Sequence, residues 1–405
     1  MKHAYDLSKD NVQFGDLGRK WGTIALVVGV AGLAAAAGLG FTAGDGGKRF
    51  FWSYLVAFAY FLAMGLGALV WVMIQHMTRS GWSVLLRRIA EGVAGALPMM
   101  ALLFVPLLFG LGEVYHWAHA DAVAHDPVLA RKAAYLNVPF FVARWVLYFA
   151  VWCGTAWALY RASKAQDASG DPALTLRMQR ISYAMIVPFA VTITFASFDL
   201  LMSLDPHWFS SIFGVYYFAG AIWLFFAVMP ILVWRLQANG RLAGAITPDL
   251  YQEMGKLLFA FGVFWAYIAF SQFMLIWYAN LPEETGWYLK RWNGGWPVVG
   301  LLLILGHFLA PFLLIMSRAA KRNLGILVPV AFWALLMQWL DFYFIAMPEY
   351  EPGSGKVPLS LLDLAAFLGV GGLFFWMVSR NLASAPLVPV NDPRLQESLV
   401  FEEGV

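Results

Sequence analysis

The sequence has little charge and almost no cysteine. Only 13% of its 405 residues are charged, against about 25% in an ordinary globular protein, and 61% are hydrophobic. Water therefore cannot be the main solvent of this chain. The single Cys153 excludes a disulfide within the chain. It also excludes an iron–sulfur cluster held by this chain alone, because such clusters usually take four thiolates.

Three other features are missing. The basic residues do not cluster into a groove or arm, and the net charge is only +3, so nucleic acid is not an expected partner. No loop exceeds about twenty residues, which leaves no room for a soluble catalytic domain. The first apolar run lacks a small-residue cleavage motif, so we expect the first helix to stay in the mature protein.

Long apolar runs dominate what remains. A span needs about 20 mostly apolar residues, because the hydrocarbon layer is about 30 Å thick and a helix rises about 1.5 Å per residue. The sequence therefore predicts an all-α polytopic transmembrane helix bundle of about ten helices. The predicted spans are Trp21 to Phe41, Phe50 to His76, Gly92 to Tyr115, Asn137 to Tyr160, Ile181 to Ser203, Ser210 to Trp234, Met254 to Asn280, Trp296 to Ser317, Asn323 to Met347 and Val357 to Ser379.

The spans predict a simple domain organisation. Residues 1–20 form an N-terminal tail, 21–380 a transmembrane domain, and 381–405 an extended C-terminal tail that docks on a partner. Within the membrane we expect two four-helix bundles, at about 50–203 and 210–347. One flanking helix is expected before the bundles, at about 21–41, and one after them, at about 357–379.

The distribution of positive charge predicts the orientation. The tails and the loops after even-numbered spans hold 18 Lys and Arg residues, against 7 in the other loops. Cytoplasmic loops retain positive charge, so both termini are predicted to be cytoplasmic.

Several spans carry polar residues, which are costly in lipid and therefore point to a partner, a water-filled cavity or a function. Gln338 and Asp341 share a helix face, as do Thr192 and Asp199. The expected depths place several acids and amides in one outer layer around a cationic Arg144, with His307 near the midplane. The full set of proton-path or quinone candidates is Glu113, Arg144, Thr192, Asp199, Gln272, His307, Gln338 and Asp341.

Other polar residues lie apart from this layer. Gln75, His76 and Lys256 fall in the cytoplasmic half, and Asp363 lies near the outer face on the last span. For each residue the alternative is structural: Arg144 pairs with one carboxylate, and the others solvate helix ends. For Asp363 and Lys256 we favour that alternative. His76 and His307 differ in depth by about half the bilayer, too far apart to share one haem iron.

Two segments carry a family resemblance. FDLLMSLDPHWFSSIFGVYYFAG, from Phe198 to Gly220, and YLNVPFFVAR, from Tyr135 to Arg144, resemble the F-type membrane subunit of bacterial alternative complex III. That complex is a quinol:electron-acceptor oxidoreductase, and its membrane subunits are similar to the wider NrfD-like, or polysulfide-reductase-type, anchors. The first segment is the more specific, because the second also resembles the sibling C-type membrane subunit.

The resemblance implies a place in the bacterial inner membrane and a set of partners. These are the homologous C-type membrane subunit, multihaem and monohaem c-type cytochromes, an iron–sulfur protein and lipids. Haem c and the iron–sulfur clusters then belong to the partner subunits. The resemblance also implies that this chain holds no redox metal and contributes a proton path, with quinone binding less secure.

Two other classes of function remain open from the sequence. One is a secondary transporter or proton channel that acts alone, which paired helix breaks in two halves would favour. Pro106, Pro188 and Pro230 are available breakers but do not pair between the halves. The other is a structural membrane anchor, for which the buried acids would be dispensable.

Overall fold

A computed structural model describes residues 7–42 and 44–402, apart from the side chain of Lys9. Within these residues no strand occurs, and ten helices are long and apolar enough to cross a membrane. The prediction of an all-α polytopic bundle is confirmed. The ten helices are α1 (Asp10–Phe41), α2 (Lys48–Met77), α3 (Val84–Phe109), α4 (Val138–Ser169), α5 (Ala173–Leu204), α6 (Phe213–Ala238), α7 (Pro248–Ala279), α8 (Trp296–Leu314), α9 (Leu324–Glu349) and α10 (Leu361–Ala383).

Several helices continue past the predicted ends of their spans. Helix α4 runs to Ser169 instead of Tyr160, and α5 begins at Ala173 instead of Ile181. Polar residues end an apolar run, but they do not end a helix when their side chains reach water. The turn between these two helices occurs at Gly170, whose φ of 67° is a left-handed conformation that glycine adopts without strain.

Eight of the helices form two groups of four. Helices α2 to α5 pack together, as do α6 to α9, and α2 and α6 join the groups along a shared contact. Helix α2 is the centre of the molecule, because its whole apolar stretch is buried. A methyl group added at Gly67 would lie 2.1 Å from the carbonyl oxygen of Ala221, so glycine permits this close helix crossing.

Helices α1 and α10 flank the two groups and pack closely against each other. Small residues make this contact. A Cβ on Gly32 would lie 2.5 Å from the backbone nitrogen of Gly369, and one on Gly372 would lie 2.3 Å from that of Gly29. In lipid, such close backbone approach replaces the hydrophobic driving force that water would supply.

The C-terminal segment differs from the predicted extended tail. Leu387 and Val388 are fully buried, and a short helix, Leu395–Leu399, packs on the start of α3. The segment therefore folds on its own chain, because its apolar residues cover apolar helix ends. The last residues, 403–405, lie outside the described part.

The N-terminal segment is also anchored. Val12 and Phe14 are buried, although residues 1–20 were expected to form a tail. The Val12 carbonyl accepts a hydrogen bond from the Leu387 amide at 2.7 Å. Both terminal segments thus lie on one face of the bundle, here called the terminal face. The other side of the membrane domain is called the opposite face.

Helix α3 begins at Val84 instead of Gly92 and buries charged residues in its first turns. Arg88 pairs with Glu91 at 3.0 Å and with Asp167 at 2.7 Å. Arg87 pairs with Glu91 and with Asp392 of the C-terminal segment. These charges enter the fold because each has a partner, which the apolar run alone did not reveal.

Candidate functional site

The centre of the second helix group contains one buried carboxyl group. Asp341 on α9 is fully buried, and its oxygens accept hydrogen bonds from Tyr216, from Gln338 Nε2 at 3.0 Å and from Trp265 Nε1 at 3.3 Å. All three donors are neutral. Negative charge on a carboxyl group buried among neutral groups is costly. Such a group is suited to take up and release a proton.

His307 lies next to this carboxyl group. Its ring stacks between Trp265 and Trp223, with centroid distances of 3.6 and 3.9 Å. Nε2 lies 3.2 Å from Gln338 Oε1, while Nδ1 is buried with no hydrogen-bond partner among the described residues. His307, Gln338 and Asp341 therefore form one continuous polar chain. The sequence grouped all three as proton-path or quinone candidates but did not predict the contact between His307 and Gln338.

An unusual helical turn positions His307. Residues Leu303–Leu309 form a π-helical segment within α8. The wider turn changes where each following side chain points, and such segments are frequent at functional sites. Hydropathy and residue spacing do not distinguish this segment from an ordinary α-helix.

A pocket of about 630 Å³ adjoins the Asp341 group. It lies between α7, α8 and the short helix Pro282–Lys290, and its walls are mostly aromatic. Phe270, Leu301 and Ile304 line it and are more than half exposed, so the pocket opens toward the lipid side of the bundle. Its volume falls within the range typical of small-molecule sites.

Polar groups at the pocket wall are few and well placed. Ser210 donates to Gln272 Oε1 at 2.8 Å, and Gln272 Nε2 lies 3.4 Å from the Tyr288 hydroxyl. Burial raises the pKa of Tyr288 to about 12, so its hydroxyl stays protonated near neutral pH and can donate to a ligand. Tyr216 and Trp265 line the pocket as well as bonding Asp341. One layer of side chains separates a pocket ligand from the carboxyl group.

Arg291 lines the pocket on the opposite-face side. Its side chain is fully buried, lies 3.4 Å over the Trp287 ring, and donates to the carbonyl oxygens of Phe344 and Ile345. Neighbouring Lys290 pairs with Asp205 at 2.6 Å and with Glu349 at 2.9 Å. These bonds fix the short helix that forms one wall of the pocket.

Arg144 belongs to a separate group in the first four helices. It holds Asp199 with two parallel hydrogen bonds, Nε to Oδ2 and Nη2 to Oδ1, both 2.8 Å. Tyr148 also donates to Asp199 Oδ2, at 2.9 Å. The guanidinium lies 3.8 Å over the Tyr135 ring. Asp199 is therefore paired with a cation, whereas the hydrogen-bond donors to Asp341 are all neutral.

The expected single layer around Arg144 is wrong. Arg144 contacts Asp199, while Asp341 and Gln272 have their own partners in the second helix group. Glu113 lies beyond the end of α3 and is exposed, so it joins neither group. Similar predicted depth placed these residues in one plane, but depth carries no information about which helices are neighbours.

Three other candidates lie outside the Asp341 group. Thr192 accepts a hydrogen bond from Trp152 Nε1 at 2.9 Å, on the same stripe of α5 as Asp199. Lys256 pairs with Glu253 at 2.5 Å on its own helix. Asp363 pairs with Arg49 at 2.6 Å and caps the start of α10, in agreement with the structural interpretation favoured for it.

No family model and no curated protein matches this chain. The roles of the two polar groups therefore rest on their geometry.

Gln75 and His76 line a small pocket at the terminal face, apart from both groups.

Proposed function

We propose that this chain is a membrane subunit of a bacterial respiratory quinol:electron-acceptor oxidoreductase. In this proposal Asp341 exchanges protons beside a pocket that takes the quinol head group. One observation carries it: Tyr216 and Trp265 contact the buried Asp341 carboxyl and also form the wall of the lipid-facing pocket. The resemblance of Phe198 to Gly220 to membrane subunits of alternative complex III supports the assignment to this class.

The chemistry of the pocket suits a quinol. A quinol is an apolar, aromatic molecule dissolved in lipid, and it carries hydroxyl groups that need hydrogen-bond partners. The pocket supplies aromatic walls, and Gln272 and Tyr288 supply polar atoms. On oxidation, a quinol loses two electrons and two protons. Haem and iron–sulfur clusters of partner subunits would accept the two electrons. In this chain the Tyr216 hydroxyl would pass one proton to Asp341, and the second proton would leave the pocket toward water at the opposite face.

The polar chain extends the proposed proton path beyond Asp341. Gln338 bonds both Asp341 and His307, and the free Nδ1 of His307 is available to a water molecule. Imidazole can relay a proton because one ring nitrogen can take up a proton while the other releases one. The Arg144–Asp199 pair, in contrast, is proposed to stabilise the first four helices, since its carboxylate is already paired with a cation.

The orientation follows from the charge bias. We propose that the terminal face is cytoplasmic, because the loops on that side hold most of the Lys and Arg residues. The pocket then lies in the outer half of the membrane, where c-type cytochromes and an iron–sulfur protein would receive electrons.

A lone transporter is less well supported. Among the described residues of the two groups of four, two irregularities lie well inside a span: the break in α3 at Gly95 and the π-helical segment in α8. Helix α3 is second in its group of four and α8 is third, so the irregularities do not correspond.

The experiment has two steps. Purification in mild detergent should recover the chain together with c-type haem proteins and a cluster protein. Ala266→Trp then fills the pocket and should lower quinol oxidation by the complex, because Ala266 lines the pocket wall. Ala260→Trp is the matched control, since Ala260 lies on the same helix, is exposed, and is outside the pocket.

Each of the two steps has an outcome that contradicts the proposal. If the intact chain is purified without any redox partner, its assignment to a respiratory complex is contradicted. The assignment of the pocket as the quinol site is contradicted if the Ala266→Trp complex oxidises quinol as fast as the unmodified complex, with the same haem content.

A further inference from the structure

A second, smaller pocket lies at the terminal face. Its volume is about 80 Å³, and the ends of α2, α3 and α5 form its walls together with the C-terminal segment. Three arginines line it, Arg79, Arg87 and Arg394, against one carboxylate, Asp392. A cavity needs only about 10–15 Å³ to hold one water molecule, so this one has room for a small tetrahedral anion.

Two of the three arginines in this pocket have no carboxylate partner among the described residues, whereas Arg87 pairs with both Asp392 and Glu91. Asp392 pairs with Arg87 and also accepts a hydrogen bond from the Arg394 amide at 2.8 Å. In residues 7–42 and 44–402 no carboxylate forms an ion pair with the side chain of Arg79 or Arg394. Two guanidinium groups therefore face the pocket without a counter-ion from the described chain.

Two buried polar side chains in the pocket wall also lack partners. His76 is 4% exposed, and its Nε2 has no hydrogen-bond partner among the described residues. Gln75 is 6% exposed, and its Oε1 is likewise unpartnered. The amide oxygen and nitrogen of glutamine exchange places by a flip, so Gln75 can present a donor here. Buried polar groups almost always have partners, so each of these two needs a partner that the described chain does not supply.

We propose that this pocket binds a phosphate group. Arginine recognises phosphate oxygens with its fork of N–H donors, and the pocket offers guanidinium groups with His76 and Gln75 behind them. The phosphate belongs either to a free anion or to the head group of an anionic phospholipid. Both sources present the same oxygens to the same side chains.

The surroundings of the pocket fit a lipid source. Leu176 lines the rim and is 50% exposed, and the same helix continues with exposed Val187 and Val191. These residues are separated by multiples of about one helical turn and follow one stripe toward the membrane interior. An acyl chain could lie along this stripe while its head group occupies the pocket. Basic pockets between membrane helices bind anionic lipid head groups in this way.

The bound phosphate would hold the C-terminal segment in place. Arg394 comes from that segment, whereas Arg79 follows α2. A phosphate that bridges them joins the end of a central helix to the last part of the chain. This role is independent of the quinol pocket, which lies between α7 and α8.

The test uses the full chain, purified in detergent without phosphate. Binding is measured by calorimetry and by thermal melting with three separate additions: inorganic phosphate, phosphatidylglycerol and phosphatidylcholine. Arg79→Gln and Arg394→Gln should each weaken binding about tenfold, because each removes one charged hydrogen-bond donor. Arg161→Gln is the matched control, since Arg161 is exposed on the neighbouring α4 and lies outside the pocket.

Each outcome decides the proposal. Binding of phosphatidylglycerol alone identifies a lipid head group, and binding of inorganic phosphate alone identifies a free anion. Binding of both supports the shared chemistry. The proposal is overturned by no binding of either, by unchanged affinity in both pocket variants, by an equal loss in Arg161→Gln, or by equal binding of phosphatidylcholine and phosphatidylglycerol.

Discussion

Replacing Arg144 with leucine should strongly destabilise the first four helices. Asp199 is fully buried, and Arg144 supplies two of the three side-chain hydrogen bonds that its carboxylate accepts. After Arg144→Leu only the Tyr148 hydroxyl remains. Removal of one partner from a buried ion pair costs about 3–5 kcal/mol, because the other charge stays buried without its counter-ion. We expect a loss of that size in the free energy of unfolding.

A second variant separates the stranded charge from the lost packing. Arg144→Leu combined with Asp199→Leu removes both charges, and such replacements are often nearly neutral. The double variant should therefore recover most of the lost stability. Arg161→Leu on the same helix should cost less than about 0.5 kcal/mol, because Arg161 is exposed.

The assay is reversible unfolding of the purified chain in mixed micelles, followed by tryptophan fluorescence. Two results would refute the reasoning. In one, Arg144→Leu unfolds within about 0.5 kcal/mol of the unmodified chain, the size of an ordinary surface substitution. In the other, the double variant is no more stable than the single variant, so that packing and not charge explains the loss.

Two further predictions concern the opposite face and the flanking helices. Burial would lower the pKa of Lys290, but the charges and hydrogen bonds of Glu349 and Asp205 outweigh burial and raise it. Lys290→Gln should therefore lower the melting temperature by the same amount throughout the neutral range, and the two melting temperatures should converge only as pH rises above 10.5, through the raised pKa. Gly32→Leu should separate α1 from α10, because a Cβ there would lie 2.5 Å from the backbone of α10. Gly38→Leu on the same helix meets no atom within 4 Å and should leave protease resistance unchanged, and equal resistance in both variants would contradict the packing argument.

The sequence predicted the helices well because lipid imposes a length and a composition on each span. Ten apolar runs of about 20 residues left little choice of architecture. Polar side chains are costly in lipid, and this cost also identified residues that the fold buries. Arg144, Asp199, His307 and Asp341 are all buried and hydrogen-bonded.

The partners of these residues could not be predicted. Tyr216 and Asp341 are 125 positions apart in sequence, and Arg144 and Asp199 are 55 apart. Contacts at such separations depend on which helices are neighbours, and hydropathy does not determine that. The π-helical segment and the pocket wall formed by Pro282–Lys290 were not predicted either, because hydropathy carries no signal for them.

One part of the C-terminal segment has the spacing of a short helix. Leu395 and Leu399 are four residues apart, the spacing of one helix face, and both are buried. The polar, proline-containing composition of the segment as a whole instead predicts an extended chain. A short amphipathic turn inside it was enough to dock the segment on α3.

Proton movement by reconstituted complex with Asp341→Asn tests the central claim most directly. Asparagine preserves the shape of the side chain but cannot take up the proton that the carboxyl group exchanges. We predict full assembly and unchanged haem content, with fewer protons moved per electron or slower quinol oxidation. Asp121→Asn, an exposed carboxyl outside the spans, should leave the proton-to-electron ratio unchanged. An Asp341→Asn complex that matches the unmodified one in rate and proton yield would contradict the account.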